Sequence, residues 1–304
     1  MEDPKSRIKI KIKFDKIVTW YKKFRFRRLP EKKIPAPAEV APPWIDLPLD
    51  VTADILHRLG AAEMLETAEK VCKTWRSVCR DPSMWRVVDV KNSGSCYDTR
   101  RLGSLCRRAV DRSRGELMDI NVEYFGNDEL LHYISLRLLF LLHTICPRFK
   151  ESFYFDANFK SSKLRRLRLS CCRKLAGKGL SEAAKSFPQL QELHILFMNQ
   201  IDIEDVEAIG LQCSSLRSFT LIKHDAISGV GNGNDCLVAI AKVMPNLVHL
   251  RLGFFGSTIT NKGYQAILDG CPIVESLNYL DDKRVEMRGQ SSLQNTNMIC
   301  VKDE

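Results

Sequence analysis

Five short runs in this chain share one pattern. "LRRLRLSCC" begins at Leu164, "LQELHILFM" at Leu190, "LRSFTLIKH" at Leu216, "LVHLRLGFF" at Leu247 and "VESLNYLDD" at Val274, at intervals of 26, 26, 31 and 27 residues. Each carries an apolar or aromatic residue three and five positions after its start, and the last four are preceded by Phe187, Cys213, Met244 and Cys271. A period of this length marks stacked units that bury a shared core. Within each run the alternation has a strand's period of two, so leucines point inward and the residues between them point out. "IEDVEAIGLQC" and "NKGYQAILDGC" read as return helices, with Cys213 and Cys271 closing their ends as small buried hydrophobes.

An earlier start, "LMDINVEYF", lies at Leu117, 47 residues before Leu164. "CPRFKESFYF" imitates a start at Phe149, but 15 residues cannot hold a strand, a helix and two turns. About 21 residues within 135–160 therefore look inserted, and "LRLLFLLHTICPRFKESFYFDANF" is predicted not to form a regular repeat; extra coding sequence in a variant transcript is one explanation. The 31-residue interval holds "DAISGVGNGND", 225–235, which lacks the Lys-Ser/Thr of a phosphate loop and reads as a lengthened turn.

The net charge of +10 is local: residues 1–33 hold 13 Lys/Arg and 4 Asp/Glu, which leaves the other 271 residues close to neutral. That argues against a nucleic-acid-binding body. The basic stretch 5–29 reads as a solvated arm, with a nuclear-import signal or a surface for anionic lipid or nucleic acid as sharper readings. Residues 29–43, "LPEKKIPAPAEVAPP", read as an extended linker, so 1–43 are expected to be disordered, as is the polar tail 281–304. The eleven cysteines and the lack of a signal-peptide pattern fit free thiols in the nucleus or cytoplasm. "LRLLFLLHTI", 136–145, is too short for a membrane span.

Residues 44–90 read as a compact helical segment. "LPLDVTADILHRLG" places Val51, Ile55, Leu56 and Leu59 on a helical stripe ended by Gly60. "MLETAEKVCKTWRSVCRD" places Ala68, Val71, Cys72, Trp75, Val78 and Cys79 on one face of a second helix, stopping near Asp81-Pro82. Cys72 and Cys79 would then lie ~10 Å apart, too far to share a metal or a disulfide. Residues 101–113 read as a helix joining this segment, across 91–116, to the repeats.

The run 47–86 resembles an F-box. The resemblance rests on a leading Leu47-Pro48, the Ile55-Leu56 pair with Leu59 after it, Val71-Cys72 with Trp75-Arg76, and Asp81-Pro82 with Trp85. It implies docking to the Skp adaptor, and through it to a cullin, with Leu47, Pro48, Ile55, Leu56 and Leu59 facing the adaptor and Trp75 serving both core and interface. The periodic part is similar to the cysteine-containing leucine-rich repeats found behind F-boxes, and "CRRAVDRS" and "NVEYFGNDELLHYI" point to short plant members. The implied fold is α+β overall: a three-helix F-box over 44–90, then a short α/β leucine-rich-repeat solenoid over 117–280. A solenoid offers an extended concave surface to a partner. Asp119, Asn121 and Glu123 would stand on it, as would Ser170, Ser218 and Ser276, with Arg166, Arg168, Glu192, His194, Thr220, His249, Arg251 and Asn278 as candidate substrate contacts.

The six histidines are scattered and form no nucleophile, acid-base or metal constellation, so catalytic residues, metal and cofactor are all expected to be none. The preferred reading is a non-catalytic substrate-recruiting subunit of an SCF ubiquitin ligase with an unknown protein substrate. The rival is a repeat-based scaffold outside any ligase, its basic arm binding nucleic acid or an anionic membrane.

Overall fold

The structure is a computed structural model, and it describes residues 47–90, 98–145, 162–223, 233–253, 259–280 and 297–300. The basic arm, the proline-rich linker and most of the glycine-rich turn lie outside these residues, as does the stretch 146–161 of the expected insertion.

The first helices form where the sequence places apolar stripes. α1 spans Leu49–His57, α2 Ala61–Glu66 and α3 Lys73–Val78, with one 3-10 turn at Ala68–Lys70 and another at Pro82–Trp85. Nine α-helices occur among the described residues. The single helix expected through 64–79 is interrupted. Cys72 adopts an extended φ of −153° and its sulfur accepts the Trp75 N–H at 3.4 Å, so it caps α3 from outside instead of lying on its stripe. An N-terminal cap that satisfies an orphan N–H is what a helix start requires. The Asp81 carboxylate does the same for the second 3-10 turn, accepting from Ser83 N–H at 2.9 Å with Pro82 in the first turn position.

The sheet begins earlier than the repeat pattern indicated. β1, Val87–Val90, lies inside the segment assigned to the helical module and pairs in parallel with β2, Asp119–Glu123. α4, Thr99–Ser113, connects them, capped by Asp98. The remaining strands follow in chain order: β3 Arg166–Ser170, β4 Glu192–Leu196, β5 Ser218–Ile222, β6 His249–Gly253 and β7 Ser276–Leu280, all parallel. β8, Asn297–Cys300, adds an antiparallel partner to β7, which corrects the expectation that the tail 281–304 carries no structure. An edge strand offers a row of unpaired backbone groups, and a returning tail fills it.

Helices α5 Asp128–Ile145, α6 Gly177–Ala184, α7 Ile203–Gln212, α8 Gly233–Val243 and α9 Asn261–Gly270 alternate with the strands. α5 runs into the expected insertion as far as Ile145. Gly233, Asn234 and Asp235, expected in the lengthened turn, instead open α8. The architecture is mixed helix and strand with a seven-strand parallel sheet.

The core is a ladder of register partners. Val88, Ile120, Leu167, Leu193, Phe219, Leu250 and Leu277 lie side by side across the sheet, each nearly or fully buried. Cysteines link successive helices. The Cys213 thiol donates to the Ala184 and Phe187 carbonyls at 3.8 and 3.7 Å, and the Cys271 thiol to Met244 O at 3.3 Å. Each is therefore a weak donor to the orphan carbonyls that end the preceding helix, in addition to filling space. Carboxamide and carboxylate groups tie the other helix ends. Asp128 Oδ1 accepts the Ala176 N–H at 3.0 Å and Asn234 Oδ1 accepts the Thr260 N–H at 2.9 Å. A Cβ on Gly179 would fall 2.1 Å from Asp128 Oδ1, so this approach needs glycine.

Tyr124, Cys171 and Phe197 each follow a strand directly and take left-handed φ values of 69°, 53° and 56°. Such a conformation costs about 1–2 kcal/mol outside glycine. Each is held by the same inter-strand bond: Tyr124 N–H to Ser170 O and Cys171 N–H to Leu196 O at 2.9 Å, and Phe197 N–H to Ile222 O at 2.6 Å.

The helical module is fastened to α4 by charge. Arg101 pairs with Glu66, while Arg108 and Arg112 reach Glu69 at 3.1 and 2.7 Å. Arg108 also donates to Leu65 O at 3.2 Å and Arg112 to Cys79 O at 3.4 Å. Trp85, fully buried, donates its indole N–H to the same Cys79 carbonyl at 2.9 Å.

Candidate functional sites

Two surfaces bear on function. The first is the outer side of α1. Pro48 precedes the helix, its carbonyl accepting the Thr52 N–H at 2.9 Å and the Thr52 hydroxyl at 3.0 Å. That back-bonding lets Thr52 turn inward at 1% exposure, while Val51 stands 40% exposed and Leu49 63% exposed. Pro48, Val51, Ile55 and Leu59 are spaced by three, four and four residues, one helical face. Pro48 is exposed, and Leu47, Ile55 and Leu59 are half-buried.

Leu56 departs from the expected docking set. It is fully buried on the opposite side with Thr52, so it packs the module's interior and does not face outward. Trp75 is also buried, at 4% exposure, which places it in the core. Leu49 and Val51 are exposed apolar residues outside the expected docking set, although Val51 belongs to the predicted stripe. Their signal was present, since an apolar residue beside Pro48 with no inward partner has nowhere to pack.

The second surface is the polar face of the sheet. Two rows run across the strands: Asp119, Arg166, Glu192, Ser218, His249 and Ser276, then Asn121, Arg168, His194, Thr220, Arg251 and Asn278. All eight candidate contacts fall in these rows. Two residues placed there by alternation are nevertheless buried, Asp119 at 7% and Thr220 at 6%. Cross-strand bonds cover them. Arg166 bridges Asp119 at 2.7 Å and Glu192 at 2.6 Å, and Arg168 adds a second contact to Asp119 at 3.0 Å. His194 Nδ1 shares a 2.9 Å hydrogen bond with the Thr220 hydroxyl. Burial holds the His194 imidazole below its ordinary 6.5, although Glu192 lies 3.5 Å from Nε2, so it is neutral at pH 7.

Hydrogen bonding from Arg166 holds the Glu192 carboxyl below its ordinary 4.5. A depressed carboxyl contributes stability that is fully present above its unfolded value and lost as pH falls through the folded one. Replacing Glu192 with Gln should therefore lower stability by an amount that is constant above about pH 5 and shrinks as the solution is acidified. Glu192 is about one-third exposed, so the plateau should be under about 1 kcal/mol. Urea unfolding of both proteins between neutral and acid pH checks it, and a difference that grows on acidification contradicts it.

Six of the thiols are buried. Burial pushes Cys106, Cys213 and Cys236 up to about 12 and Cys79, Cys172 and Cys271 up to about 11, so these stay protonated at neutral pH. Among the described residues no three His, Cys, Asp or Glu side chains gather as metal ligands, and no helix is long and apolar enough to cross a membrane.

Comparison with known proteins identifies the segment that holds α1. An F-box-like family model matches residues 44–91, which contain α1 and its exposed face. F-box protein SKIP19 of Arabidopsis thaliana is 40% identical over 236 residues, covering 77% of this chain and 68% of the relative. Putative F-box/LRR-repeat protein 9 of the same plant is 36% identical over 238 residues, covering 77% of this chain and 85% of the relative. F-box protein SKIP1, also from Arabidopsis thaliana, is 27% identical over 252 residues, covering 78% and 77%. With a relative of this identity matched over most of its length, the box motif and the strand-helix alternation have one explanation: the chain is a member of the plant F-box/LRR-repeat family.

Proposed function

We propose that this protein is a non-catalytic substrate-recognition subunit of an SCF-type ubiquitin ligase. In this reading the box docks a Skp-type adaptor and through it a cullin, in the nucleus or the cytoplasm. Residues 117–280 act as a short leucine-rich-repeat solenoid whose polar sheet face holds the protein to be ubiquitinated. Other subunits carry out ubiquitin transfer. The observation that carries the reading is the apolar face of α1, exposed at Pro48 and Val51 within the segment that matches the F-box-like family. An apolar helical patch without a partner among the described residues suits a docking surface, and a few truncation-sensitive anchors dominate such contacts.

Co-expression with a plant Skp adaptor tests it. The wild-type chain should co-purify with the adaptor, and the Leu47→Ala/Pro48→Ala variant should lose most of it. A wild type that fails to bind, or a double variant that binds equally well, removes the basis of the ligase reading.

A further inference from the structure

Charge on the polar sheet face is settled on one side and open on the other. On β2 to β4 the arginines Arg166 and Arg168 meet Asp119 and Glu192, so each cation has a carboxylate. On β5 to β7 the two rows present Ser218, Thr220, His249, Arg251, Ser276 and Asn278. Arg251 alone of these carries a permanent charge. Its register neighbours, Thr220 and Asn278, are neutral, and the His249 ring is engaged with the Ser276 hydroxyl at 2.9 Å. Arg251 Nε is shut off from solvent and has no hydrogen-bond acceptor among the described residues. A buried donor left unmet is costly, and a planar guanidinium is matched best by a carboxylate accepting two bonds. The side chain as a whole is half-buried, so the fork needs only to turn toward an incoming group.

A small apolar cluster lies near by. Ile222 is buried against Leu196 and Phe197 at the ends of β5 and β4. Leu196 and Ile222 stand two residues beyond the His194–Thr220 pair, about 7 Å along the strands. A cation without a counter-ion among the described residues, two strands (about 10 Å) from this apolar step, complements a peptide that carries an acidic and an apolar side chain a few residues apart.

We propose that Arg251 anchors a carboxylate from an acidic segment of the protein substrate, and that an apolar residue a few positions away in the same segment rests on Leu196 and Phe197. This rests on the reading of the sheet face as the substrate surface. It adds the chemistry of what that face receives.

The test pans a displayed library of random twelve-residue peptides on the full chain purified with its adaptor. Recovered peptides should be enriched in Asp or Glu with an apolar residue a few positions away. Their affinity, measured by fluorescence anisotropy, should fall at least about tenfold with Arg251→Glu, the loss of one charge-assisted contact, and less with Arg251→Gln. Lys242→Glu, the same charge change on α8, should leave it unaltered. Thermal melts confirm that each variant is folded. Recovery of no peptides, or of basic or neutral ones, overturns the proposal, and so do acidic peptides indifferent to both Arg251 variants. A phosphoserine in place of the key Glu that binds more than tenfold tighter overturns the choice of a carboxylate. If Leu196→Asp weakens binding and Arg251→Glu does not, the anchor is wrong and the face reading stands. If neither variant changes binding, the sheet face itself is not the substrate surface.

Discussion

Replacing Trp85 with alanine is expected to remove about 3–5 kcal/mol of folding stability, the range for deleting a buried aromatic side chain. Trp85 has no exposed surface, and its indole N–H is held by Cys79 O at 2.9 Å. That carbonyl is also where Arg112 of α4 arrives. Truncation would open a cavity where the helical module, α4 and the first strand converge. The remaining partners there, Glu69 with Arg108 and Arg112, are partly buried ion pairs that do not fill the volume the indole leaves. Trp85→Phe separates the two contributions. It keeps most of the ring volume and loses the hydrogen bond, so it should cost about 1–2 kcal/mol. Urea unfolding followed by circular dichroism measures both. An alanine variant within about 1 kcal/mol of wild type would mean that this tryptophan does not join the parts.

The same tryptophan shows how far sequence could be read. Its place after Asp81-Pro82 identified the end of the box, because the residue before proline avoids the α region. What lay beyond was hidden. β1 holds only four residues, Val87–Val90, and precedes any recognisable period, so no spacing announced that the sheet starts inside the box segment. The inner ladder from Leu167 to Leu277 was legible because a two-residue alternation leaves leucines one place to go. The outer rows were legible in position and less so in exposure. Asp119 and Thr220 lie where alternation puts them, but side chains on neighbouring strands, 26 to 49 residues distant in sequence, cover them.

The proposed docking face illustrates the reverse difficulty. The family pattern pairs Ile55 with Leu56, yet adjacent helical residues point about 100° apart, so the two cannot both look outward. A threonine at position 52 carries no apolar signal, but its hydroxyl bond to Pro48 O lets it go in, and Val51 comes out. Cys72 was read as a stripe residue because its spacing fitted a helix. A sulfur that accepts a backbone N–H leaves no mark in hydrophobic periodicity.

Adaptor binding should collapse when charge is placed on the exposed part of α1. Leu49 and Val51 are 63% and 40% exposed and lie in the first turn. Aspartate there is compatible with the positive end of the helix dipole, so the Leu49→Asp/Val51→Asp variant should fold as wild type does. Buried beneath a partner, the same two carboxylates would lose hydration without gaining a counter-ion. The affinity for a plant Skp adaptor should therefore fall at least about a hundredfold, or about 2.8 kcal/mol. Leu211 on α7 is the matched control, since it is equally apolar and 69% exposed but outside the box. Surface plasmon resonance on an immobilised adaptor compares the three proteins. Leu211→Asp should bind as wild type does while the α1 variant does not. Equal binding by the α1 variant, or an equal loss from Leu211→Asp, would contradict the assignment of α1 as the adaptor's docking face.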